Sequence, residues 1–256
     1  MISGEEEEDV ELEKDEELKK YWKLRYTLFS LYDHGIKLDR ESWYSVTPEE
    51  LSKHHAFKCS PPSPPYFVLD AFCGAGGNAI QLAQTCRRVW ACDIDPEKIK
   101  LAKHNAKIYG VDHKIEFIVG NFVELAKSGC FSTWMDVVFL APPWGGPEYS
   151  NAHVFDMHQL PIDCEVLFRH SIQIATSVAM YLPKNINVAQ LVALAAIPGE
   201  PGAAGAAEAA EAGAGAGGSN FCGHAYPVEV EKNLVNCRLK AVTVYYGDIA
   251  ERRTEW

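Results

Sequence analysis

Positive charge is scarce in this chain and nowhere dense. Lys and Arg total 24 against 35 Asp and Glu, a formal net charge of −11 over 256 residues, which argues against a wide basic groove for long nucleic acid. No cluster of Lys and Arg reads as a nuclear address. Cys-x-x-Cys pairs and histidines at zinc-ligand spacing are also missing. The cysteines at 59, 73, 86, 92, 130, 164, 222 and 237 are therefore expected as reduced thiols of a cytosolic or nuclear protein, with no metal. No apolar run approaches the length of a membrane span, and the start is acidic rather than basic-then-apolar, so neither a membrane partner nor a secretory signal is expected.

The charge imbalance is local. Residues 1–18 hold ten acids and one lysine, a net of −9, which leaves −2 for everything after them. Residues 1–17 have almost nothing to bury and are expected as a disordered acidic tail. The body is near neutral, so a few lysines around one pocket are compatible with an anionic substrate. With 47% hydrophobic residues, the chain can bury one sizeable core.

From Leu18 to Tyr32, apolar residues at 18, 21, 22, 28, 29 and 32 recur at helical spacing and predict an amphipathic helix. Residues 33–45 read as an ordered loop. Thr47-Pro48-Glu49-Glu50 predicts a helix start, with Thr47 as cap and Glu50 completing a capping box. The helical extension, 18–58, is followed by a stiff proline-rich connection, 59–65. The main domain, 66–250, then alternates strand and helix. Strands are predicted at 66–69, 88–92, 114–119, 137–140 and 178–182, with helices at 96–109, 164–177 and 187–195. A flexible Ala/Gly-rich insertion (196–227) leads into two last strands, 228–234 and 239–246, joined by a tight Asn236-Cys237 turn. Such alternation implies an α/β fold with a parallel sheet covered on both faces, and the closing hairpin adds an antiparallel strand. That layout resembles the class I S-adenosylmethionine-dependent methyltransferases, a Rossmann-like seven-stranded sheet with an antiparallel last strand, here with a small helical N-terminal extension.

Two motifs carry chemistry. Gly74-Ala75-Gly76 lets the chain turn sharply off the first strand and lets a nucleotide-like ligand approach the backbone. Gly74-x-Gly76-x-x-Ala79 also matches the dinucleotide fingerprint, and Asp93 lies near the spacing of a ribose-binding acid. S-adenosylmethionine is favoured because Asp70, just before the loop, would pair with an ammonium and repel a pyrophosphate. The second motif is Asp136-Val-Val-Phe-Leu-Ala-Pro-Pro-Trp-Gly-Gly146. Neither proline has an N–H, so the carbonyls of Ala141 and Pro142 are free to accept from an exocyclic amine stacked on Trp144. Taken alone, the same run also reads as a turn anchored by a tryptophan.

Lys20-Tyr-Trp22, Gly35-Ile-Lys-Leu-Asp-Arg-Glu41, Ser45-Val-Thr-Pro48, Asp70-Ala-Phe-Cys-Gly74, Asp93-Ile-Asp-Pro96, Ala141-Pro-Pro-Trp-Gly-Gly146, Leu182-Pro183 and Tyr246-Gly-Asp248 resemble the trimethylguanosine synthase family of RNA cap hypermethylases. The resemblance implies transfer of methyl groups to N2 of the 7-methylguanosine cap of small nuclear and small nucleolar RNAs. It implies a monomer in the nucleus, in the nucleolus or Cajal body, with a cytoplasmic pool. Thr47, Asp70, Phe72, Cys73, Gly74, Gly76, Asn78, Asp93, Ile94, Asn121 and Phe122 become the candidate cofactor-binding residues. The candidate catalytic platform is Trp144, Pro142 and Ala141. Lys20, Tyr149, Lys184 and Lys240 are the candidate contacts to the cap phosphates, with Glu41 accepting from N1 or N2 of the base. The chain departs from the family at Ala141, where Ser is usual, at Asn121, where Asp is usual, and at Lys184, where an Arg would offer a bidentate fork. A transferase acting on guanines inside RNA and a cofactor-binding scaffold without turnover are the competing readings.

Overall fold

The computed structural model describes residues 16, 18–60, 66–131, 135–146, 149, 152–198 and 225–251. The acidic tail apart from Glu16, the run 61–65 of the proline connection and most of the Ala/Gly-rich insertion lie outside them.

Seven strands, β1 (Phe67–Asp70), β2 (Arg88–Asp93), β3 (Ile115–Val119), β4 (Met135–Leu140), β5 (Ala175–Pro183), β6 (Val228–Val235) and β7 (Arg238–Tyr246), form one sheet in the order β3-β2-β1-β4-β5-β7-β6. The pairs from β3 to β5 are parallel, and β7 runs antiparallel to both β5 and β6. Chain order therefore reverses beside β1, where β1 lies between β2 and β4. In open α/β sheets such a reversal opens a crevice at the carboxyl ends of the strands. Asp70 ends β1, Asp93 ends β2 and the Pro-Pro-Trp run follows β4, so the sheet itself gathers both motifs at one edge.

The central strands read as continuous apolar runs because both faces are covered. Val68, Val137, Phe139, Ala179 and Tyr245 face one core cluster. Leu69, Val138, Leu140, Met180 and Tyr246 face the other. The first cluster lies under the N-terminal segment and the helices Gly77–Thr85 and Pro96–Ile108, and the second under Cys164–Ser171 and Val188–Leu194. The hairpin turn is as expected: Asn236 and Cys237 have φ of 50° and 58°, the pair of left-handed residues that a two-residue turn of matching twist requires.

Three local expectations are corrected. The helix predicted over 18–32 is two single turns, α1 (Lys19–Trp22) and α2 (Arg25–Leu28), because Phe29 swings to extended backbone (φ −141°). Ser30 N–H then donates to Glu49 Oε2 at 2.6 Å, a tertiary partner in place of a helical one. The loop 33–45 likewise contains a 3₁₀ turn, Tyr32–His34, and a one-turn helix α3 (Ser42–Ser45). Secondly, α4 (Glu49–Cys59) starts at a Pro48 cap with no side-chain hydrogen bond. Thr47 Oγ1 accepts from Asn78 Nδ2 at 2.9 Å instead, and Glu50 pairs with Lys53. Thirdly, the helix predicted over 164–177 ends at Ser171, because residues from Ala175 onward are drawn into β5 by pairing with β4 and β7. β4 also starts at Met135, earlier than expected.

Buried polar side chains lock the N-terminal segment to the sheet domain. His55 on α4 sits between Asn78 Oδ1 (3.2 Å) and Thr243 Oγ1 (3.0 Å), and Thr243 Oγ1 donates to Asn233 at 2.7 Å. Lys58, 0% exposed, reaches Glu229 at 2.6 Å, and His54 reaches Glu231 at 2.6 Å. Each tie is directional, so it fixes the register of the segment as apolar packing alone would not.

Burial pushes the His55 pKa down to about 4 from 6.5. A histidine depressed on folding contributes stability that is complete above its unfolded pKa and is lost as pH falls from 6.5 toward 4. In urea unfolding, the wild type should therefore lose about 2 kcal/mol more than His55→Asn between pH 7.5 and pH 5. Equal losses in the two proteins would show that the His55 pKa is not depressed on folding.

Candidate active site

The glycine loop follows β1 directly. Ala71 N–H donates to Phe139 O at 3.0 Å and Cys73 N–H to Cys92 O at 2.9 Å, which tie the loop to β4 and β2. Gly74 (φ +51°) and Gly76 (φ +95°) are left-handed, and Gly76 caps α5 (Gly77–Thr85). A Cβ at Gly76 would stand 3.1 Å from Ala102 Cα on α6 (Pro96–Ile108), whereas one at Gly74 would meet open space. Gly76 thus serves close helix packing, and Gly74 leaves a vacant approach to the backbone.

Two acids flank this approach. Asp70 is wholly buried; its Oδ1 accepts from Phe72 N–H at 3.4 Å, and its Oδ2 has no partner. Burial, with Asp93 nearby, pushes its pKa up to about 7. A buried carboxylate oxygen without a donor is costly and marks a place for a cation. Asp93 is half-buried and better served: Gly74 N–H donates to one oxygen at 2.9 Å and Asp95 N–H to the other at 3.0 Å. Each oxygen keeps a second lone pair for a hydroxyl. Beside it Ile94 is 67% exposed, a large apolar side chain facing solvent at the mouth. Phe72 is half-buried, and its ring meets the ring of Phe122 edge-on at 6.1 Å. The thiols of Cys73 and Cys92 are pushed up by burial, Cys92 to about 12, which leaves no thiolate nucleophile here.

Four of the candidate cofactor residues are engaged in structure. Asn121 caps α7 (Phe122–Lys127), its Oδ1 accepting from Val123 N–H at 2.9 Å. Phe122 is buried against Phe72 and Phe131. Asn78 and Thr47 bond to each other, with Asn78 also on His55.

After β4, Ala141 is half-buried, Pro142 buried and Pro143 exposed. Gly145 and Gly146 both take φ near +80°, at 84° and 83°, and turn the chain away from the ring of Trp144. Trp144 is half-buried: Nε1 donates to Tyr181 O at 3.4 Å, the Tyr181 ring lies 5.4 Å away, and Tyr149 stands perpendicular at 5.3 Å. Asn185 Nδ2 donates to the carbonyls of Tyr149 and Ala152 at 2.8 Å each, which holds that stretch beside the end of β5. Lys184 is its neighbour, and Lys240 lies opposite Lys184 one step beyond the Pro183↔Ala241 pair. Both are exposed, as is Lys20, whose ammonium lies over Tyr21 at 4.8 Å. The carboxylate of Glu41 reaches Lys98 at 3.1 Å, where Asp39 also bonds at 2.8 Å. These two acids outweigh the burial of Lys98 and raise its pKa.

Sequence reasoning missed Asn105, whose amide grips the backbone of Lys37 at both N–H and C=O (2.9 Å each) and donates to Ala75 O at 3.0 Å. It also missed Glu49, which collects Ser30 and Tyr109. Their partners are backbone groups and distant side chains, which leave no local pattern.

A family model described as RNA cap guanine-N2 methyltransferase matches residues 66–249. The chain belongs to the RNA cap guanine-N2 methyltransferase family. The trimethylguanosine synthase of Schizosaccharomyces pombe is 45% identical over 69% of this chain and 74% of its own length. That of Saccharomyces cerevisiae is 37% identical over 70% of this chain and 58% of its own length. A solved structure from Porphyromonas gingivalis W83, described as a methyltransferase, superposes with a TM-score of 0.63 at 14% identity, over 92% of this chain and 49% of that one, which shows the shared fold. The seven-stranded sheet with one antiparallel strand is thus that of a family member, a methyltransferase. Among the described residues there is no group of three or more metal-ligating side chains and no helix long and apolar enough to cross a membrane.

The glycines separate fold from ligand access. Gly76→Ala should lower stability in urea unfolding by about 1–3 kcal/mol through its backbone angle and the contact with α6. Gly74→Ala should cost less, because the added methyl meets nothing; a larger loss at Gly74 would overturn this assignment.

Proposed function

We propose that this methyltransferase uses S-adenosylmethionine to methylate N2 of the 7-methylguanosine cap of small nuclear and small nucleolar RNAs, giving the 2,2,7-trimethyl cap and S-adenosylhomocysteine. One juxtaposition carries the reading: a buried carboxylate with one oxygen unbonded ends β1, and a half-buried indole follows the adjacent β4. The cofactor, when bound, supplies an electrophilic methyl group on a sulfonium. The protein's part is to hold both partners. Asp70 Oδ2 accepts from the cofactor's ammonium, Asp93 from its ribose hydroxyls, and Ile94 and Phe72 offer apolar surface to its base. Gly74 keeps the approach open.

Trp144 offers its ring face to the guanine, since its N–H is already spent on Tyr181. A 7-methylated guanine is cationic, so an indole adds roughly 0.5–2 kcal/mol of cation–π attraction to base stacking of roughly 1–3 kcal/mol. Unmethylated guanine receives only the stacking, which makes prior N7 methylation a condition that the pocket can impose. Among the described residues no donor reaches the carbonyls of Ala141 and Pro142, so both can accept from N2 and aim its lone pair. Glu41, with one oxygen on Lys98, offers the other to N1. Lys20, Lys184, Lys240 and Tyr149 meet the cap phosphates. No base is required, because the amine can release its proton after attack; positioning does most of the work. The protein acts as a monomer in the nucleus, including the nucleolus or Cajal body, with a cytoplasmic pool.

Labelled S-adenosylmethionine with 7-methyl-GTP should give N2-labelled product, and with GTP none. Label on GTP, or only on uncapped RNA, would move the protein to an internal guanine. Trp144→Ala should reduce transfer at least a hundredfold and leave the cofactor dissociation constant within about twofold. A parallel loss of both in calorimetry would mean that Trp144 is structural.

Asp70 adds a pH dependence. Its raised pKa leaves it largely protonated at pH 6, so binding an ammonium there must expel a proton. Cofactor affinity should rise from pH 6 to pH 7.5, by up to tenfold per unit below 7. Calorimetry at pH 6 in buffers of different ionisation enthalpy should show close to one proton released; none released would place Asp70 away from the ammonium.

A further inference from the structure

The β6–β7 hairpin sorts its charges by face. On β6, Glu229 and Glu231 are opposite Tyr245 and Thr243 and point to the side of α4, where Lys58 and His54 pair with them. Lys232, between Glu231 and Asn233, is opposite Val242 and so shares the other face with Val228 and Val230, which pack on the second core cluster. Lys240 is the extra residue of β7 at the register shift, where it has no partner on β6. Lys184 follows Pro183 at the end of β5, beside Lys240.

Lys184, just past β5, and Lys240, at the start of β7, thus lie at the carboxyl edge of the sheet, with Lys232 on the second-cluster face of the neighbouring β6. All are exposed. Among the described residues none takes part in an ion pair, whereas Lys53, Lys58, Lys98, Lys100 and Lys127 all do. One strand step and two residues separate Lys232 from Lys240, about 8 Å along the surface. Leu234, 56% exposed, follows on the same face. Three exposed cations near one edge raise the local potential against the acid-rich background and favour an anion there.

We propose that this face carries the RNA beyond its cap: the chain leaves the cap phosphates at Lys184 and Lys240 and crosses the hairpin with a following phosphate on Lys232. The proposal rests on the cap-methylating reading and deepens it, since continuity with those phosphates selects RNA as the polyanion. It also reconciles an acidic protein with an RNA substrate, because contact is confined to one narrow stripe.

The test compares wild type with Lys232→Glu and Lys232→Ala on 7-methyl-GTP and on a capped ten-nucleotide RNA. Circular dichroism and cofactor affinity serve as controls for folding. For the wild type, KM should be lower for the capped RNA than for 7-methyl-GTP. Lys232→Glu should raise KM for the RNA at least fivefold with kcat unchanged, and leave both constants for 7-methyl-GTP unaltered. Lys232→Ala should reduce the salt slope of log KM for the RNA by about 0.7, the loss of one single-strand phosphate contact. Equal KM for the two substrates in the wild type, or a Lys232→Glu protein unchanged on RNA, overturns the proposal while leaving cap methylation intact. Weakening only by an added acidic peptide would reassign the face to a protein partner. Absence of product from either substrate in the wild type would instead fail the cap reading itself.

Discussion

The site turns on a buried carboxylate that the fold leaves with one oxygen unbonded. Asp70 is buried at the end of a central strand with one oxygen unbonded, and burial holds its proton on to about pH 7. Such a group opposes folding at neutral pH unless something cationic answers it. Among the described residues no cation pairs with it, and Asp93 raises its pKa further. The core therefore carries a defect of known sign and place, which the proposed ligand ammonium would relieve. On that proposal stability is traded for recognition at one atom, as is common where function is built into a rigid scaffold.

The N-terminal segment answers a different constraint. It cannot rest on the sheet domain by apolar contact alone, since α1, α2 and α3 are single turns that would not survive in isolation. Glu49, Asn105, Lys98 and His55 each capture backbone or side-chain groups from across the boundary. Asn105 is the most economical of these ties, because one amide reads the Lys37 backbone and the glycine loop together. Displacement of the segment would thus be felt at Ala75, inside the glycine loop after β1.

The central strands were legible in the sequence because they are apolar runs punctuated by Gly74, Gly110 and the prolines after Leu140. The two-residue hairpin and the antiparallel strand followed from spacing alone. Helical periodicity misled at Leu18–Tyr32, where Phe29 leaves the helix to meet the core and Glu49 replaces the lost hydrogen bond. Propensity misled again at Ile172–Ser177, where pairing with β4 overrode it. In the site, residue type at the strand ends pointed to Asp70, Asp93 and Trp144. It did not reveal that Asn121 and Thr47 lend their side chains to a helix cap and to Asn78. The cap at Asn121 is a local pattern that sequence reasoning passed over, whereas Thr47 depends on a neighbour 31 residues away, which no local window contains.

The stitch between Tyr226 N–H and Ala195 O, 2.8 Å long, has a last consequence. It clamps the departure from the final helix against the entry to β6, so whatever runs between them begins and ends at a fixed gap. Closing such a gap grows dearer only with the logarithm of the number of residues involved. Evolution, or an engineer splicing in a reporter, can lengthen or shorten the Ala/Gly stretch there at little thermodynamic cost, while the catalytic edge at the opposite end of the strands is left undisturbed.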